Sequence, residues 1–127
     1  MKEVRVTPAK FKLMAEAELA AIPAPLRDLL VNVSIEVKAE PGVEAEDMED
    51  AQELMGLYDG PTREEMLSND AHGSLPAKVY LYQNAIEDSV ESVSGLQKEI
   101  RLTLRHELAH HFGFDDEELE RVWPEGA

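Results

Sequence analysis

Residues 104–116 have the sequence LRHELAHHFGFDD, and this segment sets the architecture expected for the whole chain. His106 and His110, two of its histidines, are four residues apart. On a helix, that spacing places both imidazoles on one face, one turn apart, so that both can bind a single zinc ion. Glu107 is rotated about 100° from His106 around the helix. Its carboxylate is therefore predicted to lie beside the metal and to act as a general base on a zinc-activated water.

The residues before this segment extend the same helix. Ser94 followed by Gln97 fits a capping box, and Gly113 is placed to end the helix in the left-handed conformation, which predicts a helix over residues 95–112. A helical wheel separates three faces. The core face holds Ile100, Leu104, Leu108 and His111, and His111 is predicted to be a hydrogen-bonded core histidine. A polar stripe beside it holds Glu99, Thr103, His106, Glu107 and His110, whereas Lys98, Arg101 and Arg105 lie on the solvent face.

The third zinc ligand must come from elsewhere, because a catalytic zinc uses three protein ligands and one open position. With 17 residues after His110, a ligand from a distant second helix is not expected. Asp116 is the predicted ligand, since it follows His110 by six residues and Gly113 lies midway, where the chain can turn back. Asp115 and Glu117 remain alternatives, because a carboxylate one position away can swing toward the same metal.

Composition excludes several other kinds of chemistry. The chain has 27 acidic and 12 basic residues, a net charge of −15, and no cysteine. Such a surface repels phosphate backbones, so no nucleic-acid partner is expected; it favours basic substrates, or simply serves solubility. The absence of cysteine excludes disulfides, thiolate metal sites and cysteine nucleophiles, and it fits a cytoplasmic protein. Charges in the first residues and throughout residues 15–30 predict neither an export signal nor a membrane span.

Upstream of the motif, the chain alternates between helix, strand and irregular patterns. Thr7 is predicted to cap a helix that starts at Pro8 and ends before Pro23. Alternating apolar and polar residues predict a strand over residues 31–39. The acidic residues 44–55 fit either a short exposed helix or a mobile loop.

The middle of the chain is predicted to contain a single further strand. Residues 56–61 are expected to form a bend, followed by an irregular loop that holds His72 and ends at Pro76. Residues 78–83 alternate again and predict a strand that offers an exposed sheet edge to an extended substrate. Tyr80 and Tyr82 are expected on its outer face; the alternative is that one of them donates a hydrogen bond to an oxyanion.

Several segments in this order resemble the small bacterial zincin-like metallopeptidases, long catalogued as a domain of unknown function. The segments are LYDG at 57–60, LPAKVYLY at 75–82, RHELAHHFG at 105–113, DDE at 115–117 and Trp123. The resemblance covers residues 55–123. It implies a minimal zincin fold and an HExxHxxGxxD motif, carried here by His106, Glu107, His110, Gly113 and Asp116, in which the aspartate is the third zinc ligand. The segment DGPT at 59–62 is shorter than the family bend.

These observations predict a single α+β domain over residues 1–127, with a small mixed sheet packed on the active-site helix. The predicted activity is zinc-dependent hydrolysis of a peptide bond or a related amide in a peptide or protein substrate, with broad or poor specificity. His106, His110 and Asp116 are expected to hold Zn²⁺, and Glu107 to act as general base and then as proton donor.

Two other classes of function remain open. One is a zinc-binding interaction module without efficient catalysis. The other is a zincin-like hydrolase of a non-peptide substrate such as a nucleic acid, which the charge of −15 disfavours. No feature of the sequence assigns an oligomeric state.

Overall fold

The computed structural model describes residues 4–68 and 76–124. The described helices are α1 (Pro8–Ala20), α2 (Ala24–Arg27), α3 (Arg63–Ser68), α4 (Gln83–Asp88), α5 (Val93–Phe112) and α6 (Asp116–Val122). The described strands are β1 (Val33–Lys38), β2 (Gly56–Asp59) and β3 (Ala77–Tyr82), and single-turn 3₁₀ helices lie at Val43–Ala45 and Ala51–Glu53. None of the described helices is both long enough and apolar enough to cross a membrane.

The three strands form a mixed sheet with the order β1-β3-β2. β1 pairs with β3 in parallel, and β2 pairs with β3 antiparallel. The α+β class and the small mixed sheet are therefore confirmed. The prediction that residues 78–83 form an exposed edge strand is wrong, because β3 is the central strand and has a hydrogen-bonded neighbour on each side.

Two tyrosines of β3 that were expected on an outer face are buried. Tyr80 and Tyr82 are 9% and 0% exposed, and their stacked rings have centroids 6.4 Å apart. Lys38 lies over the Tyr80 ring, and Glu44 accepts a hydrogen bond from the Tyr82 hydroxyl. The two tyrosines lie on the sheet face opposite the core, as predicted, but they are buried there because the segment after β1 covers this face.

α5 packs its apolar face against the sheet and α1. All four predicted core residues, Ile100, Leu104, Leu108 and His111, are fully buried. Gly113 ends the helix with φ 76° and ψ 26°, the left-handed conformation predicted for it. The predicted start was two residues late, since Ser92 is the N-cap and its hydroxyl accepts the Gly95 N–H at 2.9 Å.

Arg105 departs from its predicted place on the solvent face. It is only 9% exposed. Its guanidinium donates to the Trp123 carbonyl at 2.7 Å and to the Glu120 carboxylate at 2.8 Å. The helical wheel does not predict this burial, because α6 folds back over that side of α5. The residue spacing along one helix contains no information about a later element.

The first helix follows its sequence signals. The Thr7 hydroxyl accepts the Lys10 N–H at 3.1 Å, and Pro8 occupies the first turn, where its missing N–H leaves no partner unsatisfied. The expected strand at residues 31–39 is present as β1. A short helix after Pro23, α2, was not predicted.

The middle of the chain is more regular than predicted. Residues 56–59 form strand β2 where a bend was expected, because pairing with β3 overrides the turn preference of Gly56 and Gly60. α3 replaces the first part of the expected loop. Thr62 and Glu65 form a reciprocal capping box, a T-x-x-E signature that was present in the sequence. His72 lies outside the described residues.

Candidate functional site

The two histidines of the motif lie side by side on α5. The ring centroids of His106 and His110 are 5.5 Å apart, and the ring planes are nearly perpendicular, at 85°. Both side chains are exposed. The helical spacing therefore presents two accessible imidazoles at one place, as predicted.

Glu107 lies beside the histidines but points inward, toward β2. It is 8% exposed, and its carboxylate accepts a hydrogen bond from the backbone N–H of Tyr58. Burial raises the pKa of Glu107, whereas positive charge on His106 or His110 and the Tyr58 N–H act in the opposite direction. A buried carboxylate held by one fixed donor has a defined orientation, which a general base needs.

The outer edge of β2 faces Glu107. The Met55 carbonyl accepts the Tyr82 N–H at 2.9 Å, and the register pairs Gly56 with Leu81. Because hydrogen-bonded pairs alternate in an antiparallel ladder, the backbone groups of Gly56 and Tyr58 point away from β3. The hydrogen bond from Tyr58 N–H to Glu107 agrees with this direction. The sheet edge beside the histidines is therefore that of β2.

His111 holds Tyr58 in place, as a buried histidine with two hydrogen bonds. Its Nε2 accepts the Val31 N–H at 3.2 Å, so a neutral ring carries its proton on Nδ1, which lies 2.9 Å from the Tyr58 hydroxyl. That hydroxyl in turn donates to the Pro61 carbonyl. Burial, with a smaller contribution from the nearby Arg63 charge, lowers the pKa of His111 to about 4. The prediction of a hydrogen-bonded core histidine is confirmed.

A cleft between α5 and the outer edge of β2 consists of two neighbouring chambers, and Glu107 lines both of them. Both chambers are lined by Leu54, Gly56, His106 and Glu107. The upstream chamber, of about 320 Å³, is also lined by Glu53, Met55, Glu99, Leu102 and Thr103. The downstream chamber, of about 490 Å³, is also lined by Met48, Leu57, Tyr58, Thr62 and His110. The two chambers therefore meet at these four shared residues, Glu107 among them.

The acidic residues 44–55 form one wall of this cleft. They contain a 3₁₀ turn at Ala51–Glu53, with Met48 and Leu54 facing the chambers. Glu44 connects the wall to the sheet: its carboxylate accepts bonds from Lys38 Nζ at 2.6 Å and from the Tyr82 hydroxyl at 2.8 Å. Burial alone would raise the pKa of Glu44, but the bonds from Lys38, the Gly42 N–H and Tyr82, together with its own backbone N–H, outweigh it and lower the pKa to about 2.

This anchor predicts an acid-sensitive contribution to stability. Between pH 4.5, the ordinary pKa of a glutamate, and about 2, the unfolded chain protonates Glu44 more readily than the folded chain does. The stabilisation is therefore complete above this window and is lost as the pH falls through it. We expect Glu44→Gln to lower the free energy of unfolding by about 1 kcal/mol at pH 7, a value reduced from the full pKa shift because water reaches Lys38.

Urea unfolding of both proteins between pH 7 and 2.5 measures this contribution. The difference between them should shrink toward the acid end, and the exposed Glu46→Gln in the same segment is the control. A difference that does not change over the acid range would show that Glu44 does not anchor the wall through its charge.

Asp116 is the first residue of α6 and is exposed. Its neighbour Asp115 is the N-cap and forms the predicted capping box with Glu118, with N–H to carboxylate distances of 2.8 and 3.3 Å. Within the described ranges, no three His, Asp or Glu side chains lie close enough together to hold one metal ion. The structure thus brings His106 and His110 together and does not bring Asp116 into a three-ligand group with them.

Two residues of the site were not predicted from the sequence, Gly56 and Tyr58. A Cβ atom built on Gly56 would lie 2.7 Å from Thr103 Cγ2 and 3.2 Å from Glu107 Cγ, so β2 passes very close to α5 at this point. Tyr58 supplies the N–H that binds Glu107. A four-residue strand that begins with a glycine and is followed by another is too short to be recognised by its alternation, and backbone donors have no side-chain signature.

Comparison with known proteins gives a family and a solved structure with a similar fold. The family model described as zincin-like metallopeptidase matches residues 30–124. A solved structure of a conserved hypothetical protein from Thermus thermophilus superposes with a TM-score of 0.52 and 21% sequence identity, over 83% of this chain and 92% of that chain. No curated protein sequence matches significantly.

At 21% identity, the solved structure supports the fold alone. The family match spans well over half of the chain and includes β1, the cleft and the histidine pair. Its description agrees with the mixed sheet packed on α5 and with the helical HExxH segment on the cleft. This chain belongs to the zincin-like metallopeptidase family.

Proposed function

We propose that this protein is a zinc-dependent peptidase in which His106, His110 and Asp116 hold the metal and Glu107 is the general base. One observation carries the proposal: a buried carboxylate, Glu107, lies between an exposed pair of imidazoles and the outer edge of a strand. This arrangement serves no evident packing purpose, because burial of a carboxylate costs free energy unless its charge is used or compensated.

The donor chemistry fits zinc at two positions. Imidazole nitrogens are preferred zinc ligands, and His106 and His110 lie one helical turn apart with their rings accessible. Asp116 is proposed as the third ligand from its place in the motif. The capping box supports this choice over Asp115, since the Asp115 carboxylate is occupied by the Glu118 N–H.

A bound zinc ion supplies Lewis acidity and lowers the pKa of a coordinated water. In our proposal Glu107 removes a proton from the attacking water and later delivers it to the leaving amine, which needs a carboxylate that is fixed in place and shielded from solvent. The Tyr58 N–H fixes one carboxylate oxygen, and His111 fixes the position of Tyr58 through the phenol.

The substrate is proposed to lie along the outer edge of β2 as an added strand. The backbone groups of Gly56 and the Tyr58 carbonyl point toward that edge, and peptide main chains bind exposed edges by hydrogen bonds to such groups. The two chambers then accept side chains on either side of the scissile bond. A peptide is favoured over a nucleic acid because the chain has a net charge of −15.

Zinc content of the purified, zinc-loaded protein tests the metal site. We expect one zinc per chain in the wild type and a loss of affinity above about 100-fold in His106→Ala, since removal of a direct ligand costs more than removal of a supporting contact. Asp116→Ala should show a similar loss. Competition with a chelating dye measures the affinities, and cleavage of a mixed peptide library is followed on the same samples.

Glu117→Ala is the matched control, because it removes a neighbouring carboxylate in the same helical turn. Full zinc occupancy in His106→Ala would disprove the site. If Glu117→Ala loses zinc and Asp116→Ala retains it, the third ligand is Glu117 and not Asp116. Zinc binding without cleavage of any peptide in the library would instead support a zinc-binding interaction module.

A further inference from the structure

The upstream chamber combines an apolar lining with carboxylates. Met55, Leu54 and Leu102 contribute half-buried apolar surface. Glu53 and Glu99 are the acidic residues that line the chamber besides Glu107, and no lysine or arginine is among its described lining residues. Long basic side chains combine the same two features, since their methylene stems pack on apolar surface while the charged group reaches a polar partner.

Glu99 is placed to meet such a side chain near the reacting groups. It precedes His106 by seven residues, which is two helical turns, so both lie on nearly the same line of α5 about 10 Å apart. Its carboxylate is half-buried and accepts a hydrogen bond from the Thr103 hydroxyl at 3.3 Å. Glu53 lies on the opposite wall, at the end of the 3₁₀ turn, and is exposed.

Neither carboxylate has a basic partner of its own among the ion pairs of the described residues. The downstream chamber differs, because its described lining contributes apolar and hydroxyl-bearing side chains with His106 and His110, and no acidic residue other than Glu107. The two sides of Glu107 therefore offer different chemistry to a bound chain, with the negative charge concentrated on the upstream side.

We propose that the upstream chamber is a specificity pocket for an arginine or lysine side chain next to the scissile bond, with Glu99 and Glu53 as the residues that recognise its charge. This inference rests on the proposed peptidase function and narrows its substrates from peptides in general to peptides with a basic residue at the cleavage site. Glu99 and Glu53 are specificity residues that bind the substrate and take no part in proton transfer.

Matched peptides that differ at one position on either side of the cleaved bond test the pocket. With zinc-loaded protein, we expect kcat/KM for arginine and lysine peptides to exceed that for the norleucine peptide by about tenfold, as for a charge-assisted bond that is partly exposed. The double variant Glu53→Gln/Glu99→Gln should remove this preference, so that its kcat/KM values for the arginine, lysine and norleucine peptides are nearly equal. Glu64→Gln, exposed on α3 outside the cleft, should leave the preference unchanged.

A binding measurement separates this inference from the proposed function. N-acetyl-arginine amide should shift the backbone amide resonances of Leu102 and Thr103, whereas N-acetyl-norleucine amide and the arginine probe on the double variant should not. If peptides are cleaved with no preference that depends on Glu53 and Glu99, the pocket is disproved and the peptidase stands. If no peptide is cleaved, the peptidase fails, and the resonance shifts alone decide whether the chamber binds a guanidinium group.

Discussion

Glu107→Gln is expected to keep its zinc and its fold and to hydrolyse peptides about 10²–10⁴ times more slowly than the wild type, the usual contribution of a general base. Glutamine has nearly the volume of glutamate, and its side-chain oxygen can still accept the Tyr58 N–H. The buried position is therefore filled and hydrogen-bonded as before. What is lost is the ability to bind a proton, so the effect falls on kcat far more than on KM.

The measurement is kcat/KM on a peptide that the wild type cleaves, together with zinc content and the urea midpoint of each protein. Glu87→Gln is the matched control, because Glu87 is another buried carboxylate, 2% exposed, which accepts bonds from the Val6 N–H and the Gln83 amide and lines neither chamber. It should retain full activity. If the Glu107→Gln protein remains folded and keeps its full activity, the general base is another residue.

The part of the site that could be predicted from sequence is the part that lies on one helix. A spacing of four residues determines where His106 and His110 lie relative to each other whatever the rest of the chain does. The core face of α5 was correct for the same reason. The position of Arg105 was predicted wrongly, because its burial depends on α6, and the residue spacing along α5 contains no information about a later helix.

The sheet is the part of the fold that local sequence patterns predicted least well. Two of its strands were predicted, but the strand that borders the cleft, β2, was expected to be a bend. Strand pairing is a long-range interaction, and the four residues from Gly56 to Asp59 form a strand here only because β3 provides hydrogen-bond partners along one side. Without β2, the sequence predicts β3 as an edge strand; the burial of Tyr80 and Tyr82 on the outer face is a separate effect, because it depends on the segment after β1 that covers them.

Gly56 is the residue at which this unpredicted strand meets the site, and Gly56→Ala is expected to have the largest effect of any change outside the reacting groups. The new methyl would lie 2.7 Å from Thr103 Cγ2, 3.1 Å from the Tyr80 carbonyl and 3.2 Å from Glu107 Cγ. Overpacking of this kind costs about 1–3 kcal/mol of stability. β2 must then move away from α5, and the Tyr58 N–H moves away from Glu107 with it. A displacement of about 1 Å in an active site lowers activity by about 100-fold.

A double-mutant cycle identifies the cause of that loss. Thr103→Ser removes the Cγ2 methyl that lies closest to the new atom. Gly56→Ala should therefore cost less stability and less activity in the Thr103→Ser background than alone. The coupling free energy should exceed about 0.5 kcal/mol in magnitude, which is roughly the deviation from additivity seen for distant sites. Gly95→Ala, where the nearest non-neighbouring atom is the Ser92 hydroxyl at 3.1 Å, is the control glycine and should not couple to Thr103. Urea unfolding and kcat/KM are measured for all four proteins of the cycle. Additive losses would mean that β2 does not press on α5 at this point, and the orientation of Glu107 would then need another explanation.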